Sequence, residues 1–300
     1  MARLSPALML AIAIGITGCN RNPAEKSSGK PKVIATFSVL EDFVREVAGD
    51  KVELVTLVGP DGDAHEFQPT PQDVAAIGDA SIVFEIGAGF ESHWFDKAFQ
   101  ASGSKAERVV VSRGMMLDMH EGEADPHIWH QVGNAVHMVE KVRDGLIEID
   151  PANASHYRSN AKRYVAKLGV LDDWIVQQVK PLPQERRKLV TSHDTFGYFA
   201  KRYGFTVAGS VLPSFSTEAA DPSAADFAAL VEKIKKEGVP AIFCETSHNA
   251  KLVNRLAEAA GAKVAPPLYT DALGPAGSPG ATYDGMMRYN VTTIVEALRR

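Results

Sequence analysis

Residues 152–180 read ANASHYRSNAKRYVAKLGVLDDWIVQQVK, and this stretch sets the organisation of the whole chain. Its apolar side chains recur at steps of three and four, which predicts one amphipathic α-helix. The apolar positions are Tyr157, Ala161, Tyr164, Leu168, Leu171, Ile175 and Val179. A single helix of this length extends about 43 Å, which is longer than a crossover within one domain requires. Pro181 and Pro183 end the pattern, and an alternative of two helices broken near Gly169 stays open.

Short apolar runs alternate with helical patterns on both sides of this stretch. Each run is typical of a buried strand, and apolar residues at helical spacing follow it. The predicted strands are Val33–Phe37, Val52–Val58, Ile82–Ile86, Arg108–Val111, Leu189–Ser192 and Ala241–Cys244, and a final helix is predicted over Tyr283–Leu298. The alternation predicts an α/β fold of two (β/α) lobes with mostly parallel sheets, bridged by one long α-helix.

The composition of the chain is that of a globular protein. Hydrophobic residues make up 45% of the 300 positions and charged residues 23%, which argues against extensive disorder. The net charge is −5 with no basic cluster, so a nucleic-acid-binding function is not expected. Two cysteines exclude a disulfide scaffold. No apolar run reaches the roughly 20 residues that a membrane-spanning helix needs.

The first 18 residues have the pattern of an export signal. Arg3 precedes an apolar stretch from about Ala7 to Ile16, which is the length of a signal core. The string Ile16-Thr17-Gly18-Cys19 resembles the bacterial lipobox, in which the cysteine is lipidated and becomes the first mature residue. Asn20–Lys30 is polar and aperiodic, as a flexible tether needs. These features predict a lipoprotein anchored through Cys19; a cleaved signal with an incidental cysteine is the alternative.

The chain therefore divides into five predicted segments. They are a lipoprotein signal over residues 1–18, a tether over 19–31, an N-terminal α/β lobe over 32–150, a linking helix over 151–183 and a C-terminal α/β lobe over 184–300. This division predicts a protein outside the cytoplasmic membrane, held to the membrane by its lipid.

Three of the nine histidines lie after predicted strands. His65 lies in a Gly- and Asp-rich loop after Val52–Val58, His127 follows the strand that ends near Val111, and His193 directly follows Leu189–Ser192. Asp271 comes after the run Leu268-Tyr269-Thr270. Ligands of open α/β sheets bind outside the carboxyl ends of the strands. Two of these residues come from each half, so a site built from all four would lie in the cleft between the lobes.

Three imidazoles and one carboxylate suit a four-coordinate Zn²⁺ ion. The spacing alone is weak evidence, because the four residues are spread over about 200 positions. A solvated loop residue or a helix cap is the alternative for any one of these histidines taken alone.

The sequence strings around these residues carry more information than their positions. They read Asp63-Ala64-His65-Glu66-Phe67-Gln68-Pro69-Thr70-Pro71, Asp125-Pro126-His127-Ile128-Trp129, Ser192-His193-Asp194-Thr195-Phe196-Gly197-Tyr198-Phe199 and Thr270-Asp271-Ala272-Leu273-Gly274. In this order they resemble the zinc/manganese solute-binding lipoproteins of bacterial ABC importers, the ZnuA/TroA-type family, over essentially the whole mature chain. The resemblance implies one metal between the lobes, with His65, His127, His193 and Asp271 as its ligands.

The chain departs from the family pattern at two places. Many zinc-binding members carry a long His-rich loop between the first two ligands, whereas Met115–Asp125 holds only His120. His130 stands where members usually have an aliphatic residue, and a place behind the ligands or on the surface is expected for it. Cys244 ends a predicted buried strand and is expected to be a small core residue.

The resemblance implies a function in metal capture rather than in catalysis. We expect a binding protein that captures a divalent metal, Zn²⁺ in preference to Mn²⁺, and delivers it to an ABC permease and its ATPase. One metal per chain and a monomer are expected. Alternatives are a manganese carrier, a metal-dependent hydrolase with Glu66 as its base, and a binding protein for an organic metal chelate. The catalytic motifs of P-loop enzymes, serine hydrolases and zinc proteases are not present in the sequence.

Overall fold

The computed structural model describes residues 29–120, 122–246 and 250–299. The predicted signal over residues 1–18 and Cys19 lie outside the described residues. The strands are β1 Lys32–Phe37, β2 Glu53–Val58, β3 Ile82–Glu85, β4 Glu107–Val110, β5 Met119–His120, β6 Glu123–Ala124, β7 Lys188–His193, β8 Thr206–Leu212, β9 Ala241–Glu245 and β10 Lys263–Leu268. The helices are α1 Ser38–Ala48, α2 Pro71–Gly78, α3 Phe95–Ser102, α4 Val132–Ile149, α5 Ala154–Val179, α6 Gly197–Tyr203, α7 Ala224–Glu237, α8 Lys251–Ala260 and α9 Tyr283–Arg299.

The first lobe is built on a four-stranded parallel sheet in the order β2-β1-β3-β4. Ile34 of the buried strand β1 lies opposite Val55 of β2 and Val83 of β3. Apolar side chains on both faces of β1 are covered because helices pack on the sheet, as parallel sheets require. The carboxyl ends of these strands therefore meet at one edge.

The second lobe repeats this plan with the parallel order β10-β9-β7-β8. Thr191 of β7 lies opposite Ser210 of β8 and Phe243 of β9, so β7 is an inner strand. Strand β10 contains Pro266 and Pro267 at a shift in its pairing with β9. Prolines are accommodated here because β10 is an edge strand, where one side of the backbone needs no partner.

Helix α5 connects the two lobes as one unbroken helix of 26 residues, about 39 Å long. The alternative of two helices broken at Gly169 is wrong. Its apolar face is buried against α1, α4 and α9. Asp42 of α1 joins this layer, since its carboxylate accepts a hydrogen bond from the Tyr283 backbone N–H (3.0 Å) at the start of α9.

The predicted α/β fold, with mostly parallel sheets and a long linking helix, is confirmed. Observed strands differ from the predicted ones by a residue or two at their ends, and β7 includes His193 rather than stopping before it. In the described part of the chain, no helix is both long and apolar enough to cross a membrane.

Candidate metal centre

His65 lies in the loop that follows β2, and the preceding aspartate fixes its backbone. One carboxylate oxygen of Asp63 accepts hydrogen bonds from the backbone N–H groups of His65 (2.8 Å) and Glu66 (3.4 Å). The indole N–H of Trp94 donates to the carbonyl of Ala64 (2.8 Å). These hydrogen bonds hold the loop in place, and the loop positions the His65 ring at the carboxyl edge of the first sheet.

His127 reaches the same edge through the β5–β6 hairpin, after which a 3₁₀ turn over Ile128–His130 begins. Asp125 Oδ1 accepts hydrogen bonds from the His127 backbone N–H (2.9 Å) and lies 2.8 Å from the ring Nδ1. An Nδ1–H that donates to Oδ1 of Asp125 leaves Nε2 with its lone pair free for a metal. Asp125 therefore fixes both the position and the tautomer of His127.

His193 is supported in the same way from the second lobe. Glu245 Oε2 at the end of β9 lies 2.7 Å from His193 Nδ1, and Oε1 accepts the His193 backbone N–H (3.1 Å). The Thr270 hydroxyl also donates to Glu245 (2.8 Å), which places Asp271 beside His193. Adjacent strands β7 and β9 thus deliver the histidine and its supporting carboxylate to one point.

The four predicted residues converge between the lobes, with one potential ligand atom of each within 4.8 Å of the others. His193 Nε2 lies 3.2 Å from Asp271 Oδ2 and 3.3 Å from His127 Nε2. The distances from Asp271 to Nε2 of His127 and of His65 are 3.6 Å and 3.7 Å. Ligands on a tetrahedron with bonds of about 2.1 Å stand about 3.4 Å apart, so these separations suit a four-coordinate ion.

Burial shapes the charges of this group. Burial lowers the pKa of His127 well below its usual range, although the Asp271 carboxylate opposes the effect. Burial also disfavours the charged form of His193, but the carboxylates of Glu245 and Asp271 outweigh it and raise its pKa well above its usual range. The pKa of Asp271 is lowered, because the neighbouring imidazoles, led by His193, overcome the effect of burial. The metal-free site therefore pairs a protonated His193 with an ionised Asp271.

Asp125 behaves differently from Asp271. Burial raises its pKa to about 8, and Asp194 and Asp118 add to that effect. Together with the lowered pKa of His127, this leaves the Asp125–His127 pair without net charge at neutral pH. Negative charge is therefore concentrated at the second lobe's side of the site.

An aromatic wall encloses the site from the first lobe. The Phe90 ring packs against the rings of His65 (4.8 Å between centroids) and Trp129 (5.0 Å). The indole N–H of Trp129 donates across the cleft to the carbonyl of Thr270 (2.9 Å), next to Asp271. This wall fixes ring orientation and lowers the local dielectric constant, which strengthens the attraction between a cation and Asp271.

His130 is fully buried, so the surface position considered for it is wrong. Its ring stacks on Phe196 at 4.7 Å, and neither ring nitrogen has a hydrogen-bond partner among the described residues. Burial lowers its pKa to about 4, so the ring is neutral at physiological pH. An aliphatic side chain would fill this position without leaving two polar atoms unpaired.

The described residues of the cleft do not provide the groups that a hydrolase or a chelate-binding protein would need. Glu66, the base that a hydrolase would need, is exposed and lines a different groove from the cleft onto which His65 opens. Among described residues, that cleft is lined by the acids Glu123 and Glu218 and by no lysine or arginine. An anionic metal chelate would need such cations.

Two functional carboxylates were missed by the reasoning from sequence. Asp125 lies in a quoted motif, and its spacing of two from His127 is a signal for a carboxylate that orients an imidazole. Glu245 has a weaker signal, an acid that directly follows the buried run Ala241–Cys244. Cys244 itself is buried in the core, as expected.

Comparison with known proteins agrees with this architecture. Residues 33–297 match the model of the ZnuA family, described as the periplasmic component A of a zinc-uptake complex. The chain belongs to the ZnuA family. The resemblance found in the sequence motifs is thereby confirmed.

Relatives within the ZnuA family carry names that point to two metals. The chain is 34% identical to the zinc-binding protein TroA of Treponema pallidum, over 98% of this chain and 97% of the relative. It is 33% identical to the manganese-binding lipoprotein MntA of Halalkalibacterium halodurans, over 97% of each chain. The solved structure of periplasmic zinc-binding TroA superposes with a TM-score of 0.85, at 33% identity, covering 91% of this chain and 100% of that one. The ZnuA family is one of substrate-binding proteins rather than enzymes.

Proposed function

We propose that this protein is the extracytoplasmic solute-binding component of an ABC importer, which captures a divalent metal and delivers it to a membrane permease and its ATPase. The metal is held by Nε2 of His65, His127 and His193 and by the carboxylate of Asp271. The observation that carries this proposal is the convergence of these four atoms at separations suited to a tetrahedral ion. Closed coordination by four protein ligands suits capture, since it leaves no position for an activated water.

Zinc is the metal that the ligand set favours. Imidazole nitrogen suits Zn²⁺, whereas Mn²⁺ prefers oxygen ligands and more of them. Glu245 reinforces the choice at position 193, because a carboxylate 2.7 Å from Nδ1 supports an imidazole N–H and would repel an acidic side chain placed there. Asp271 can bind through both oxygens, which leaves Mn²⁺ as a weaker cargo. Because some relatives are named for manganese, the affinities of this protein for Zn²⁺ and Mn²⁺ should be measured side by side.

Zinc is expected to displace manganese from the purified protein in an equimolar competition. Zn²⁺ forms more stable complexes than Mn²⁺ at nitrogen-containing sites, so the bound metal should be almost entirely zinc. Dialysis followed by elemental analysis measures the ratio, together with the stoichiometry of one metal per chain. Manganese remaining in the site at equilibrium would contradict the zinc assignment while leaving the four ligands intact.

A pair of variants tests the role of Glu245 in this preference. His193→Glu alone creates two facing carboxylates, and it should weaken binding of both metals. His193→Glu combined with Glu245→Gln removes that repulsion. The double variant should therefore reduce the difference in affinity between Zn²⁺ and Mn²⁺ more than the single variant does. Glu232→Gln, on the exposed face of α7, is the matched control.

The lipid anchor is a second part of the proposal. The lipobox-like string that ends at Cys19 and the polar tether after it support attachment to the outer face of a membrane. Cys19→Ser is expected to abolish metabolic labelling with fatty acid and to release the protein from membranes into the soluble fraction. Equal labelling of the variant and the unmodified protein would contradict the anchor.

The protein is proposed to act as a monomer. All four ligands come from one chain, so a single copy completes the site. Size-exclusion chromatography with light scattering, with and without zinc, measures this directly.

A further inference from the structure

The metal centre opens to the surface through a cleft between the lobes with a volume of about 640 Å³, at the base of which lies His65. One wall is the segment Ala88–His93 of the first lobe. The opposite wall is Ser214–Ala219 of the second lobe, which follows β8 and is called the strap below. The strap therefore borders the cleft through which the metal centre faces solvent.

One end of the strap is hydrogen-bonded to the residue that follows His193, a proposed ligand in the same lobe. The backbone N–H of Asp194, next to His193, donates to the carbonyl of Ser214 (3.1 Å). Within the strap, the Ser214 hydroxyl accepts the Ser216 backbone N–H (3.0 Å), and the Ser216 hydroxyl accepts the Glu218 backbone N–H (3.2 Å). These bonds give the segment a defined local conformation.

The other end of the strap is tied to the opposite lobe at two points. The Thr217 hydroxyl donates to Oδ2 of Asp63 (2.8 Å). Glu218 pairs with His93 (3.2 Å), and both side chains are partly exposed. The Phe215 ring, two residues before Thr217, faces the His127 ring with 6.3 Å between the ring centroids.

Asp63 connects the strap to a metal ligand. Its Oδ2 receives the Thr217 hydroxyl, while its Oδ1 receives the backbone N–H of His65. The same rigid carboxylate therefore touches the strap of one lobe and the ligand loop of the other. A path of hydrogen bonds therefore runs from the strap through Asp63 to the backbone of His65.

We propose that the strap is a latch that sets the rate of metal release, and that Asp63 is a positioning residue that couples the latch to His65. The inference rests on the proposed function, because it concerns the same metal site. A continuous helix α5 resists bending between the lobes, so release needs a local element that can open. The strap is such an element, since among the described residues it is held across the cleft by the Thr217–Asp63 hydrogen bond and by the exposed contact between Glu218 and His93.

Release kinetics of the zinc-loaded protein test this proposal. Zinc is transferred to an excess of EDTA, and the dissociation rate constant is measured by stopped-flow with a fluorescent zinc indicator. Thr217→Val keeps the side-chain shape and removes the cross-lobe donor; it is expected to release zinc about fivefold faster, which corresponds to the loss of one ordinary hydrogen bond. Glu218→Gln, which weakens the exposed contact with His93, should accelerate release by about twofold.

The controls separate the latch from general loosening. Glu232→Gln removes the same charge from an exposed ion pair with Lys235 on α7 and should leave release unchanged. In an Asp63→Ala background, Thr217→Val should have no further effect, because its partner is already absent. Stoichiometry should stay at one zinc per chain in Thr217→Val and Glu218→Gln, since their ligands are intact.

Two outcomes overturn the inference, and they differ from each other. If the unmodified protein binds no zinc, the proposed function fails and the latch fails with it. If the unmodified protein holds zinc, but Thr217→Val, Glu218→Gln and their combination all release it within twofold of the Glu232→Gln control, the latch alone is wrong. Circular dichroism and thermal unfolding of the metal-free variants confirm that each comparison is made on folded protein.

Discussion

Replacing His127 with alanine is expected to weaken zinc binding by about 100-fold or more. Loss of a group that only orients a metal ligand costs 10- to 100-fold, and loss of the ligand itself costs at least as much. The effect is large here because Nε2 of His127 lies 3.3 Å from Nε2 of His193 and 3.6 Å from Asp271, within the converging group. His65→Ala should have an effect of the same order. Competition with a chelator of known affinity measures both.

A histidine outside the site provides the matched control for this prediction. His120 is exposed on the β5–β6 hairpin. His120→Ala removes an imidazole from the same lobe without touching the four converging residues, so affinity should change by less than about twofold. Unchanged zinc titrations for both His65→Ala and His127→Ala would refute the assignment of the ligands.

The fold was largely predictable because buried parallel strands leave a simple signal. Runs such as Val33–Phe37 and Ala241–Cys244 are apolar throughout, since both faces of each strand are covered. Strand β8 was missed because Gly209 and Ser210 interrupt its apolar pattern. A Cβ at position 209 would lie 2.7 Å from a methyl group of Leu230 on α7, so a larger residue there would require the Leu230 side chain to shift.

Topology indicated that the three histidines could converge, and the sequence strings around them strengthened that prediction. Carboxyl ends of parallel strands meet at one edge, and each of His65, His127 and His193 was predicted to follow a strand. The groups that support these histidines were harder to predict from the sequence, because the partners are far apart along the chain. Glu245 meets His193 across 52 positions, and Thr217 meets Asp63 across 154. Pairings of this kind depend on strand order and on the approach of the lobes, neither of which is encoded by local periodicity.

The carboxyl groups behind the ligands explain why the pKa of the histidine from the first lobe differs from that of the histidine from the second lobe. Asp125 and Glu245 occupy equivalent positions behind His127 and His193, each 2.7–2.8 Å from Nδ1. Asp271 acts on both of these imidazoles, but of His127 and His193 only His193 has a raised pKa, because Glu245 adds to the effect of Asp271. His193 therefore carries a proton in the metal-free protein that His127 does not.

Acidification is expected to weaken zinc binding by about tenfold for each pH unit below the pKa of His193. Since Glu245 and Asp271 raise that pKa well above 6.5, His193 is protonated in the metal-free protein at neutral pH, and zinc must displace its proton. The loss of affinity should thus begin above pH 6.5, where an unperturbed histidine would still be neutral, and reach about 100-fold over two pH units. His127, whose pKa is lowered, contributes no proton in this range.

Calorimetry in buffers of different ionisation enthalpy measures this proton directly, and about one proton per zinc is expected at pH 7. Glu245→Gln removes one of the two carboxylates that raise the pKa of His193, so it should move the onset of the pH dependence to lower pH as well as weakening binding at high pH. Glu232→Gln, an exposed change of the same charge, should leave the onset where it is. An affinity that stays constant from pH 8 to pH 6.5 would show that His193 is already neutral before zinc arrives, and the charge arrangement inferred for the metal-free site would then be wrong.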